Sequence, residues 1–254
     1  MDFFLLIGIV LGVISVVVGM IVKGANVAVL ISPAAAIIIF VGVIAAVVNS
    51  FPSSDIKRIP KIFGILLKNE EYDVKKTINS IVDMANQARR DGLLSLENAI
   101  QNLEEPFLKK GLEMVVDGIP EDQIKEIMEN EIYGIEERHH VGANIFKTAG
   151  TSAPTLGVLG AVIGLIGALG NLEDVEALGH MISAAFVATL YGIFFGYVLF
   201  IPFSSRLNLK SEQEVQVMSI IVEGVLAIQA GQSPKSIEKK LYSLIEPNKR
   251  EERS

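Results

Sequence analysis

Four stretches of this chain carry no charged side chain from end to end: Phe3–Val22, Val27 to Val48, Thr148–Leu172 and Met181–Ser205. A helix rises 1.5 Å per residue, so about 20 apolar residues cross the roughly 30 Å hydrocarbon layer of a bilayer. A water-soluble core has no need of such runs. The chain is therefore expected to be an all-α polytopic membrane protein, with four transmembrane helices and a helical cytoplasmic domain. The first run does not read as a cleaved leader, because acidic Asp2 stands where a basic segment belongs and the run exceeds an ordinary leader core.

Orientation follows from the charges. Apart from Lys23, every Lys and Arg lies between Phe51 and Lys147 or after Ser205, whereas the connection between the third and fourth runs holds Glu173, Asp174 and Glu176 and no basic residue. Basic residues near membrane ends stay on the cytoplasmic side, and Lys57, Arg58, Lys61, Lys147, Arg206 and Lys210 agree. Both termini are expected in the cytoplasm, with two small external loops. The expected division is 1–50 (spans one and two), 51–147 (cytoplasmic helical domain), 148–205 (spans three and four) and 206–254 (cytoplasmic C-terminal helices).

Helical spacing marks Val74–Ala88, with Val74, Ile78, Ile81, Val82 and Ala85 on one face. After Asp91-Gly92 the habit continues at Leu93, Leu96, Ala99, Ile100 and Leu103. Gly118-Ile119-Pro120 precedes an acidic amphipathic helix over Asp122–Ile135. A polar helix is expected from Leu207 to Ala230, and Pro234 is expected to start a last helix through Leu244. Pro33, Pro154 and Pro202 lie in or at the edge of spans, where each removes a backbone hydrogen bond and can kink the helix. Glycines at Gly8 and Gly12, Gly160 and Gly164, and Gly192 and Gly196 are spaced for close helix packing, either within one chain or between copies.

Function is narrowed first by what is missing. No Asp, Glu, Lys, Arg or His lies inside the four runs, which offer only hydroxyls such as Ser15, Ser32, Ser152, Thr155, Ser183 and Thr189. Carriers of protons or sodium ions place an ionisable group at membrane depth, so a carboxylate for such a task has to come from another chain. The absence of cysteine excludes thiolate chemistry. Adjacent His139 and His140 point in different directions on a helix and make no paired metal site. His180 and Ser183 lack an acid that would complete a triad, and no glycine-rich stretch leads into a phosphate-binding Lys. The cytoplasmic domain is acidic overall, which argues against nucleic acid. The chain reads as neither an enzyme nor a cofactor protein.

Several motifs resemble the MotA/PomA stator family of ion-driven flagellar motors. Ala153-Pro154-Thr155-Leu156-Gly157-Val158-Leu159-Gly160-Ala161-Val162-Ile163-Gly164-Leu165 is similar to its third-span signature. Ala185-Phe186-Val187-Ala188-Thr189-Leu190-Tyr191-Gly192 with Pro202 resembles the fourth-span one. The run from Ala88 to Glu97 resembles its charged cytoplasmic motif, and Glu223–Gln229 its C-terminal segment. The resemblance covers essentially the whole chain, in order. It implies a single-span B subunit that carries the channel Asp and binds peptidoglycan. It also implies a homo-oligomeric ring, pentameric around a B dimer, that sits in membrane lipid and turns a rotor switch-ring protein. By position, Pro154 and Pro202 would couple ion passage to motion. Thr189, Thr155 and Ala161 would line the ion path, and Arg89, Glu97 and the adjacent Arg90 would contact the rotor.

The transported ion is expected to be a proton. Sodium-type members carry a threonine seven residues after the third-span proline, and that position here is Ala161. A hydroxyl replaces part of a hard cation's water shell and a methyl does not. The nearest alternative is an energising proton-channel subunit of the ExbB/TolQ type, which has three spans and no charged motif of this kind; a passive membrane scaffold is another.

Overall fold

A computed structural model describes residues 2–68, 73–170 and 172–245, and no strand occurs among them. Helix α1 (Phe3–Val22) is the first apolar run from end to end. It starts where it does because the Asp2 carboxylate accepts the Leu5 N–H at 3.2 Å, satisfying one of the free donors at the helix start.

The second run is not the unbroken helix expected from Val27 to Val48. A 3-10 turn over Val27–Leu30 comes first, and the chain then opens at Ile31-Ser32. The Ser32 hydroxyl accepts from Ala35 N–H at 3.4 Å, and Pro33 occupies the first turn of α2 (Pro33–Ala36). A proline there lacks only an N–H that would have no helical partner anyway, so Pro33 starts a helix rather than kinking one. The span continues through a π-helical segment, Ile37–Val41, into α3 (Gly42–Ser50).

Short helices α4 (Ser53–Ile56) and α5 (Ile59–Leu67) follow. Next come α6 (Val74–Asp91), a 3-10 turn over Leu93–Ser95, α7 (Leu96–Ile100) and α8 (Pro106–Val116). Helix α9 (Glu121–Leu169) carries the third apolar run. The fourth lies in α10 (Val175–Ile193), a π-helical segment over Phe194–Phe200 and the start of α11 (Ile201–Gln229). Helix α12 (Pro234–Ser243) ends the described chain, with Pro234 in its first turn; residues 246–254 of the expected C-terminal segment lie outside the described residues.

Two expected helix boundaries are absent. The Asp122–Ile135 helix runs on into the third span, and the Leu207–Ala230 helix is the continuation of the fourth. Side-chain polarity decides where a helix leaves lipid, but only a breaker or a cap stops the backbone ladder, and neither occurs at these places.

The chain forms two compact units, residues 1–69 with 139–209 and residues 70–138 with 210–254. The first holds all four apolar runs, and the chain is a multi-pass membrane protein. Residues 51–68, grouped by charge with the cytoplasmic part, pack in this unit instead: Leu66 of α5 is fully buried with Leu5, Phe146, Phe203 and Leu207. A tilted contact of Phe63 with Phe146 and an edge-on contact with Phe203, at 5.7 and 5.9 Å between ring centres, hold α5 there.

The polar unit has its own core. Helix α6 buries Ile78, Ile81, Val82 and Ala85, the face its spacing announces, against Leu112 of α8, Ile124 and Met128 of α9, Ile221 and Val225 of α11, and Leu241 of α12. Each of the larger side chains among these, Ala85 aside, contributes about 1.5–3 kcal/mol by leaving water. The Gln229 amide donates to the Ile119 carbonyl at 2.6 Å and fixes the turn that launches α9.

Candidate functional site

Spans three and four run antiparallel along a seam of small residues. A side chain added at Gly164 would stand 2.8 Å from the Ala185 methyl, and one at Gly160 2.7 Å from the Ala188 methyl. One at Gly192 would stand 2.4 Å from the Ala153 carbonyl oxygen. The spacing left open whether these glycines pack within the chain or between copies. Gly157, Gly160, Gly164, Gly192 and Gly196 pack within it, as does Gly12 against Val198, whereas Gly8 has nothing within 4 Å.

Pro154 lies inside α9 and has no N–H to give the Gly150 carbonyl four residues back. That carbonyl oxygen lies 2.7 Å from where a Gly196 side chain would begin, and the Pro154 ring 2.9 Å from it. Gly196 belongs to the π-helical segment, so the turn of span three that lacks a hydrogen bond at Pro154 meets a widened turn of span four. The two π-helical segments also meet each other, through the edge-on pair Phe40 and Phe195 at 4.7 Å. Such segments are uncommon and concentrate at functional positions. The exposed Pro202 lies two residues past the end of the second segment. A proline ring crowds the carbonyl four residues back, here Val198 inside the widened turn, which relieves that crowding.

The Thr189 hydroxyl donates to the Gly157 and Ala185 carbonyls, each at 3.3 Å. Its one proton is thereby committed and its oxygen lone pairs remain as acceptors. At about 100° per residue, Pro154 and Ala161 sit about 70° to one side of the glycine seam on span three, and Thr189 about 50° to one side on span four. The displacements have the same sense, and in antiparallel helices that places all three on one flank of the pair. Thr155 is about 100° further round from Pro154. It is exposed on the back of span three, so the structure does not bring it to Thr189. Of the other span hydroxyls, Ser15 donates to the Gly12 carbonyl at 2.8 Å and Ser32 caps α2.

Arg89, Arg90 and Glu97 flank a tight turn of the polar unit. All three are exposed, and none is in an ion pair among the described residues. The turn depends on Gly92, whose φ of 83° most side chains avoid. The Gln87 amide donates to the Ser95 carbonyl at 2.7 Å, and the Ser95 hydroxyl donates to the Gly92 carbonyl at 2.6 Å. Leu96, fully buried, pins the far side.

Two features escaped the sequence reading. Arg206, at the end of the fourth apolar run, is ion-paired with Asp2, which is 4% exposed. In the polar unit, Lys76 meets Glu104 at 2.6 Å. The hydrogen bond between them, then their mutual attraction, holds Glu104 below the usual carboxylate range and raises Lys76. No group of three or more His, Cys, Asp or Glu suited to a metal occurs among the described residues. His140 is exposed, with its ring 3.2 Å from the Asn144 amide.

Residues 99–220 match the model of the MotA/TolQ/ExbB proton channel family, and residues 6–92 match that of the motility protein A N-terminal region. Motility protein A of Bacillus subtilis (strain 168) is 49% identical over 242 residues, which cover 95% of this chain and 90% of that protein. The solved structure of C. jejuni MotAB superposes with a TM-score of 0.93 at 33% identity, covering 98% of this chain and 97% of that one. The flagellar MotAB stator complex from Bacillus subtilis gives 0.87 at 50% identity, covering 93% of each chain.

Proposed function

The chain belongs to the MotA/TolQ/ExbB proton channel family as an A-type subunit of a flagellar motor stator, and from that premise we propose how it couples ion passage to torque. It is a multi-pass inner-membrane protein whose spans contain no ionisable residue. The carboxylate that carries the ion therefore belongs to the single span of a B subunit, the partner in the related MotAB complexes. That carboxylate faces the flank that holds Pro154, Ala161 and Thr189. There the lone pairs of Thr189 accept from the protonated acid, and the methyl of Ala161 offers a metal cation no oxygen. The transported ion is a proton.

Pro154, its glycine socket at Gly196 and the π-helical turn before Pro202 form the deformable part of the path. Neutralising the partner's carboxylate changes the load on this flank, and a helix with displaced hydrogen bonds yields at lower cost than a regular one. Five copies ring a B dimer, with both termini in the cytoplasm and the Glu173–Glu176 connection outside. Arg89, Arg90 and Glu97 meet opposite charges on the rotor's switch-ring protein.

The observation that carries this reading is the Thr189 acceptor on a flank without a charge of its own. Swimming driven by this subunit and its own B subunit tests the choice of ion. It is expected to persist in sodium-free medium and to stop with a protonophore. Swimming that requires sodium would contradict it.

A further inference from the structure

Leu94 lies in the turn between Arg90 and Glu97 and is 73% exposed, the most exposed large apolar side chain of the polar unit among its described residues. Its neighbours behave otherwise. Leu93 packs on the core and Leu96 is fully buried, so the turn has apolar residues enough to hold itself in place. Leu94 is held outward by a backbone already fixed at Gly92 and Ser95 by the Gln87 and Ser95 hydrogen bonds. A lone exposed leucine on a mobile loop means little. One held on a braced turn, with cations on one side and an anion on the other, has the layout of an interface anchor: an apolar centre inside a charged rim, with little ordering left to lose on contact.

We propose that Leu94 is the apolar anchor of the rotor contact, and that it seats in an apolar dimple on the switch-ring protein between an acidic group that faces Arg89 or Arg90 and a basic group that faces Glu97. This rests on the reading that those charges meet the rotor. It assigns the two kinds of side chain different work. The charges steer the approach and set its register, while burial of Leu94 sets how long each contact lasts.

The test uses the full A and B complex in cells, with the dwell time of fluorescently labelled stators at the motor and stall torque as readouts, and stator level in the membrane as the control for folding. Leu94→Ser is expected to shorten the dwell time about tenfold at unchanged membrane level, with Leu94→Met close to the parent. Leu94→Ser with parental dwell time and torque overturns the proposal. Charge-reversed Arg89→Glu with Glu97→Lys keeps the two ideas apart. If that variant loses torque while Leu94→Ser does not, the rotor reading stands and the anchor falls. If neither changes torque or dwell time, the rotor reading falls with it. If Leu94→Ser alone shortens the dwell time, the role given to the charges falls, and the anchor placed between them falls with it.

Discussion

Arg206 at the end of the fourth apolar run is ion-paired with Asp2, the residue that caps the first span. The Asp2 backbone N–H also donates to the Leu67 carbonyl at the end of α5, at 2.8 Å. Three segments far apart in sequence are thus fastened at one point, where a buried carboxylate would be costly without its cation.

Arg206→Ala or Asp2→Asn should therefore reduce the level of folded protein in the membrane. The expected loss is about 2–3 kcal/mol, below the ~3–5 kcal/mol of a fully enclosed pair because Arg206 is about one-third exposed. The double change should recover part of it. Thermal inactivation in detergent would measure all three, and a double variant no better than the worse single one would show that the residues do not act as a pair.

Thr189→Val preserves shape and removes the acceptor. Ion flow through the complex should fall at least about tenfold with assembly intact, and Thr189→Ser should keep most of it, since a hydroxyl is what the site needs. Thr155→Val should have little effect, because Thr155 lies on the back of the span. Equal damage from both valine variants would remove Thr189 from its special place.

A methyl at Gly196 would stand 2.7 Å from the Gly150 carbonyl oxygen, and Gly196→Ala is expected to abolish swimming by overpacking worth about 1–3 kcal/mol or more. Gly8→Ala meets nothing within this chain. Normal swimming with alanine at Gly8 is expected if that face lies against lipid. Loss of ring assembly, read by the size of the purified complex, would instead place Gly8 between copies.

The Lys76–Glu104 pair predicts a pH response with a definite sign. Glu104 is held below its ordinary 4.5, so its contribution is present above that value and lost as pH falls through its lowered pKa. Lys76 is raised above 10.5, so its contribution is present below that value and lost as pH rises through its raised pKa. Between those limits the difference in urea stability between parent and Glu104→Gln should not vary with pH, and it should vanish in strong acid. Both side chains are exposed, so salt should shrink it.

Much of this was legible in the sequence for physical reasons. An uncharged run with an acidic cap gives Phe3–Val22 unambiguously, and the α6 face from Ile78 to Ala85 follows from spacing alone. The break at Ser32-Pro33 had a signal, since Ser then Pro is a helix-start pair, but the apolar run hid it. The π-helical segments had none: nothing in Ile37–Val41 or Phe194–Phe200 distinguishes their composition from ordinary span sequence, and the approach of Gly196 to Pro154 is visible only in three dimensions. Asp2–Arg206 was out of reach because pairing across 204 positions leaves no local trace. For the site, hydroxyls and prolines could be enumerated from sequence, but sorting Thr189 from Thr155 required knowing which face of span three carries the glycine seam.

A proton path shared between two subunits is tested by cytoplasmic pH in cells, with the chain expressed alone and then with a B subunit from which any channel-closing segment has been removed, in sodium-free medium. No acidification is expected from the chain alone. The pair should acidify the cytoplasm, and replacing the partner's Asp with Asn or this chain's Thr189 with Val should abolish or sharply reduce the effect. Acidification by the chain alone, or none from an assembled pair, would contradict a proton path shared between two subunits.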